Sequence, residues 1–294
     1  MGEWQALLLG GNNGQAGPIN NMGQIVGMAE TAIVDPDCPG TPAPNGTGPQ
    51  VLDFLPVVWD PGADKPRVLK LPANDTMGEA LWINNKGQVV GHTGTCKNEY
   101  PPPICAGPHA VLWDSDGSVH DLGNLGGTAN PAILGVGNMA FALNNRGQVT
   151  GTSALPGSQT VHAFLWSQGA GMQDLGTLQG DFWSVGLAIN DTGDVVGLSQ
   201  DIGGKLSAAI WHNGQPTDLN GVVPAGTSLY MLIAFGINEG GQIVGFGVDM
   251  NTGEIHGYLA MPIAGSGGPT ARGATQRPIL SQDQRKALLR RVRF

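Results

Sequence analysis

The chain has 294 residues, of which 48 are glycine and 21 proline, with 40% hydrophobic and only 13% charged positions. That length suits one large all-β domain or two ordinary ones, and glycine plus proline stay just below the level of a disordered chain. Residues 265–294 hold seven of the fourteen basic residues and a single acid, so the remainder carries a formal charge of −15, which repels phosphate backbones and excludes nucleic acid as its partner.

Met1 to Gly11 lacks the basic start and the long apolar run of a signal peptide. No apolar run anywhere approaches the ~20 residues of a membrane-spanning helix. The first recognisable element is "INNMGQIVG" (19–27), followed by "PVVW" (56–59) and "RVLKLP" (67–72). It returns as "INNKGQVVG" (83–91) with "HAVLW" (109–113) and "VHDLGNLGG" (119–127), then as "LNNRGQVTG" (143–151) with "HAFLW" (162–166) and "MQDLGTLQG" (172–180). The fourth copy is "INDTGDVVG" (189–197) with "SAAIW" (207–211) and "PTDLNG" (216–221). The fifth is "INEGGQIVG" (237–245) with "HGYLA" (256–260), and no third element follows it.

Five copies at a spacing of about 46–64 residues, each with four short strand patterns, predict propeller blades. An inner strand ends in Ile-Asn, the Asn-x-x-Gly turn leads into "QVVG", and the "HAFLW" and "MQDLG" runs supply the two outer strands. Gly147 is expected at positive φ in its turn, with Asn144 and Asn145 satisfying the turn's own backbone groups. The start, "EWQALLLGGNNGQAGPIN" (3–20), aligns with "GMQDLGTLQGDFWSVGLAIN" (171–190) with one gap. The N-terminal strand is therefore expected to complete the last blade, which removes two exposed sheet edges. The predicted fold is a five-bladed β-propeller of four-stranded blades over residues 1–263, with a flexible linker and a basic, helix-patterned tail over 264–294.

Two of the three cysteines, Cys96 and Cys105, flank "CKNEYPPPIC". A bridge between them is the favoured pairing, Cys38 with Cys96 competes, and three free thiols are the third reading. His92 beside this pair makes only an incomplete zinc set. His109, His162 and His256 open equivalent strands in different repeats, so the repeat spaces them around the ring and no metal site is expected. "DSDG" (114–117) and "NDTGD" (190–194) lack the Glu that closes a calcium loop and read as turns. No phosphate-binding loop and no nucleophile elbow is present, and no cofactor is expected.

"HAFLW" followed by "MQDLGTLQG" and "AINDTGDVVG" resembles the HAF-repeat family, over about residues 5–262. Only His162-Ala163-Phe164 spells the name in full. The resemblance implies a bacterial protein outside the cytoplasm, extracellular or in the cell envelope, and it supplies no biochemical activity.

Every inner turn is short, whereas the loops from Met28 to Leu55 and His92 to Pro108, and those over 123–140 and 220–232, are long and share the opposite end of the meander. Long connections gathered at one end suggest a binding surface. The candidates there are Asn74, Asp75, Glu79, Asn130, Asp181, Trp183 and Tyr230, because rings beside carboxylates and amides suit carbohydrate. The expected function is a non-catalytic binding module for a glycan or protein ligand, the chain itself monomeric. A polysaccharide hydrolase or lyase using Glu79 and Asp181 is the enzymatic alternative, and a purely structural repeat protein is the third. The tail is expected by default to be solvated, with docking on the acidic body or on an acidic cell-surface polymer as alternatives.

Overall fold

The computed structural model describes residues 9–35, 52–96, 105–128, 137–157, 159–223, 226–262 and 277–291. It is all-β apart from one 3-10 turn and one helix. The chain divides into two compact units, Met1–Val161 with Trp166–Met172, and His162–Leu165 with Gln173–Phe294.

The first unit opens with a sheet of β1 (Gly10–Ile19), β2 (Ile25–Val34), β3 (Leu52–Trp59) and β4 (Arg67–Val68), hydrogen-bonded in that order. The second sheet is β5 (Met77–Ile83), β6 (Val89–Cys96), β7 (Cys105–Trp113) and β8 (Val119–Asp121), again in sequence order. A third sheet, of which β11 and β12 are divided between the two units, orders β9 (Met139–Leu143), β10 (Val149–Ala154), β11 (Val161–Ser167) and β12 (Gly171–Gly176) the same way. In the second unit lie the four-stranded sheet β13 (Trp183–Ile189), β14 (Val195–Gln200), β15 (Leu206–His212) and β16 (Gln215–Asp218), and a three-stranded one, β17 (Leu229–Ile237), β18 (Ile243–Asp249) and β19 (Ile255–Ala260). Each repeat thus forms one antiparallel meander. The stretch expected to add a fourth strand to the last sheet, Trp4 to Leu8, lies outside the described residues.

Apolar faces join neighbouring sheets. Val26, Val58 and Leu69 of the first sheet meet Ala80, Val89, Val111 and Trp113 of the second, and the Trp113 indole N–H donates to the Lys70 carbonyl at 2.7 Å. In the second unit Ala188, Val196 and Ala208 pack with Met231, Ala234 and Ile243.

The inner turns are built alike. The Asn144 carboxamide oxygen accepts from the amides of Arg146 and Gln148, both at 3.0 Å, and Gly147 sits at φ 78°. Asn145 differs from expectation: its side-chain oxygen accepts from the Asn85 amide, 3.1 Å away in the neighbouring turn. The Asn84 side chain meanwhile donates to the Asn144 carbonyl at 3.0 Å. Asn20 and Asn21 reach Asn84 and Asn85 in the same way, and Asn190 and Asp191 reach Asn238 and Glu239. The motif is therefore a clasp between turns as well as a turn.

The glycine that ends "QVVG" has its own cause. Each inner pairing shifts register opposite it, between Ala80 and Trp82 in β5 and between Gly186 and Ala188 in β13, which pushes a carbonyl toward the facing strand. A Cβ on Gly197 would stand 1.9 Å from the Val185 oxygen, and one on Gly91 equally close to that of Glu79. Gly197→Ala is expected to lower the unfolding free energy by about 3 kcal/mol or more, read from urea midpoints. Gly169→Ala, whose new methyl meets open space, serves as the neutral control.

Candidate functional site

In the first unit the polar residues at the long-loop end tie strands together. Asn74 is exposed at φ 75°, as its turn requires. The buried carboxylate of Asp75 accepts from the Thr93 hydroxyl at 2.5 Å and pairs with His109 Nδ1 at 3.1 Å, linking the approach to β5 with β6 and β7. The adjacent Thr76 hydroxyl donates to Asp35 at 2.8 Å, across to the first sheet. Asp35 in turn faces Asp53, whose carboxyl is pushed up to about 6 by burial and then by hydrogen bonding to, and repulsion from, Asp35.

Glu79 stands apart from that cluster. It lies in β5 directly opposite His92 of β6, and cross-strand partners share a face. Alternation puts the pair on the side of the second sheet away from Val26 and Val58. Burial pushes the Glu79 carboxyl up to about 7 and the His92 imidazole down to about 4. His92 is 5% exposed, and its Nδ1 has no hydrogen-bond partner among the described residues. Counting outward from the intervening turn would set His92 against Ala80, and the register shift between Ala80 and Trp82 moves it to Glu79.

The second unit holds Asp181, Trp183 and Tyr230. The side chain of Asp181, just before β13, is 1% exposed and forms an ion pair with the Arg277 guanidinium. Its second oxygen, Oδ2, is buried with no hydrogen-bond partner among the described residues. Burial opposes the charge on Arg277, but Asp181, through a hydrogen bond and its charge, holds the guanidinium pKa above its ordinary value. Tyr230, 3% exposed in β17, shares a hydrogen bond with the Ser207 hydroxyl of β15. Its phenol is raised to about 12 by burial, opposed by Ser207 and by Arg277 and assisted by Asp218 and Asp181. The Trp183 indole N–H donates to Gln200 at 2.5 Å, and beside it Phe182 is 37% exposed. Tyr230 is thus buried, and the rings of Phe182 and Trp183 follow Asp181 directly in the chain.

Arg277 belongs to the tail, so the expectation of a solvated tail is corrected by its docking. After Arg277 and Pro278 comes the buried Leu280, then α1 (Gln282–Arg291). Its start is a capping box: the Gln284 amide donates to the Ser281 hydroxyl at 3.2 Å, and the Ser281 amide donates to the Gln284 side chain at 2.8 Å. The other end of the Gln284 carboxamide donates to the Gly253 carbonyl, and Leu288 is buried. Sequence reading missed this contact because no spacing rule links Arg277 to a carboxylate 96 residues earlier.

The remaining candidates are quickly placed. Asn130 lies outside the described residues. The enzymatic pair is divided between units, Glu79 in the first and Asp181 in the second. Among the described residues no group of three His, Cys, Asp or Glu side chains could hold a metal ion. His162 and Asp174, the histidine and aspartate of "HAFLW" and "MQDLG", pair at 2.9 Å. Cys96 and Cys105 are direct cross-strand partners in the backbone register of β6 and β7. No helix among the described residues is long and apolar enough to cross a membrane.

No protein-family model matches the sequence, nor does any curated protein. Among solved structures the chain is similar to the β-propeller domain of the Trilobed protease of Pyrococcus furiosus, reported as having an open velcro topology, at 15% identity and a TM-score of 0.38 over 67% of this chain. It is also similar to the acylaminoacyl peptidase of Pyrococcus horikoshii, at 11% identity and a TM-score of 0.47 over 81% of this chain. The chain spans 48% of the first structure and 35% of the second.

The Glu79–His92 pair generates a pH signature. The unfolded chain releases the Glu79 proton near 4.5, whereas the folded chain holds it to about 7. That stabilisation is complete below about pH 4.5 and is lost as pH rises through about 7. His92 acts in reverse, its contribution complete above about 6.5 and lost as pH falls through about 4. Glu79→Gln is expected to gain stability relative to the unmodified protein as pH rises across the Glu79 window, by up to about 3 kcal/mol. Urea melts at acidic and mildly alkaline pH measure the gap, and a constant difference would contradict it.

Proposed function

We propose that the five sheets are the blades of a five-bladed β-propeller of the HAF-repeat kind, with Trp4 to Leu8 completing the fifth, and that the protein is a non-catalytic binding module. Among the described residues β19 is the edge of its three-stranded sheet, with Leu259 59% exposed, and this supports a fourth strand there. Its ligand is a glycan or a protein held at the long-loop end, and its place is outside the cell or in the envelope. The observation that carries the reading is the buried carboxylate of Asp181, with one oxygen unfilled, beside the partly exposed rings of Phe182 and Trp183. Arg277 offsets the cost of burying this charge at one oxygen, and the unpartnered oxygen leaves room for a further donor.

Full-length protein and its Trp183→Ala variant, applied to glycan and protein arrays, test the site. Binding by the former and about tenfold or greater loss in the latter is expected if the ring is a contact anchor. Equal binding by both would move the ligand elsewhere. An extracellular placement also predicts a bridged Cys96–Cys105 peptide in non-reducing mass maps of exported protein, and three free thiols there would contradict it.

One observation favours a second reading. Glu79, protonated to about pH 7, has the acidity of a general acid. Release of sugars from a polysaccharide panel, abolished in Glu79→Gln, would establish a hydrolase or lyase.

A further inference from the structure

We infer that the Asp181 pocket is an arginine-peptide receptor, and that Arg277-Pro278-Ile279-Leu280 of the tail is its built-in competitor. The inference rests on the binding-module reading and narrows its ligand from glycan or protein to a protein segment presenting arginine.

The pocket's chemistry selects a guanidinium. The Asp181 side chain is 1% exposed, and among the described residues only Oδ1 has a donor, Nη1 of Arg277. A carboxylate with both oxygens available is matched by two parallel N–H groups of a guanidinium fork, whereas an ammonium is a point donor. Arg277 approaches with Nη1 alone, so the resident contact is one-armed and leaves Oδ2 empty. Asp218 adds to the field at the same guanidinium and favours its charged form. An arginine free to approach fork-on satisfies more of the site than the tethered one does.

The tail also shows why the ligand is a peptide. Three residues past Arg277 the Leu280 side chain is buried, and between them Pro278 fixes one backbone torsion. The surface is therefore read at two points of one segment, charge first and apolar group second. Gln284 and Leu288 hold the following helix against the same unit, which keeps the competitor nearby at high effective concentration. An incoming segment must outcompete it, so occupancy rises only where the partner is abundant or fork-on binding is much tighter. The strongly acidic remainder of the chain steers basic segments toward the surface.

The probe is a synthetic peptide matching residues 275–291, titrated into full-length Arg277→Ala protein by calorimetry. Binding is expected to be about tenfold or more tighter to the variant than to the unmodified protein, whose pocket is filled. Citrulline, which keeps the shape of arginine without its charge, should abolish binding when placed at the Arg277 position of the peptide. Equal affinity for both proteins, an active citrulline peptide, or no binding to a variant that melts like the unmodified protein would each overturn the inference. Should the variant not fold, the unmodified protein provides the same test by hydrogen exchange: excess arginine peptide, and not the citrulline one, must raise the exchange of amides in α1, and unchanged exchange overturns the proposal. Glycan capture on the array without peptide binding would sink this inference and leave the binding-module reading intact.

Discussion

The inner turns hold one another. Asn20 and Asn84 each close their own turn with the side-chain oxygen, and their amide groups cross to a carbonyl of the next turn, Asn20 to Asn84 and Asn84 to Asn144. These bonds are buried, and a buried amide left unpaired is worth more in penalty than its bond contributes in net stability. The strands, the apolar faces between sheets and the placement of the opposite loops all follow from that fixed spacing. A meander without it would have only side-chain packing to set the distance and angle to its neighbour.

With one end of each meander clasped, variation collects at the other. There the two units use carboxylates differently. In the first, Asp75, Asp35 and Asp53 bond to Thr93, His109, Thr76 and one another, and join the approach to β5 to strands of two sheets. In the second, Asp181 makes its ion pair with a distant part of the chain and keeps an oxygen idle. The same residue type is structural where neighbouring strands supply the donors and available for recognition where they do not.

What was legible in the sequence follows the same division. Strand order, the turn and Gly147 were readable because they depend on contacts within a few residues, and five copies repeat them. The partner of Asn145 was not, because the bond spans 60 residues and shows no local pattern. Nor was the docking of the tail: its charge was plain, but a basic run matches any acidic surface, and only folding decides that Arg277 meets Asp181. The face shared by Glu79 and His92 was hidden too, because counting across the turn sets His92 against Ala80 and the register shift moves it to Glu79.

The crowded carbonyl opposite Gly91 and Gly197 bears on how such a chain can drift. At those positions the restriction comes from main-chain atoms, which no compensating substitution can move aside, so the five repeats keep the same letter there. The outer strands face only a demand for burial, which valine, phenylalanine, alanine and isoleucine meet equally well. That difference accounts for "VVG" or a near spelling standing in all five repeats while the outer runs differ from one repeat to the next. Within this chain the repeats agree most closely where main-chain atoms leave no room, and diverge where only burial is asked of them.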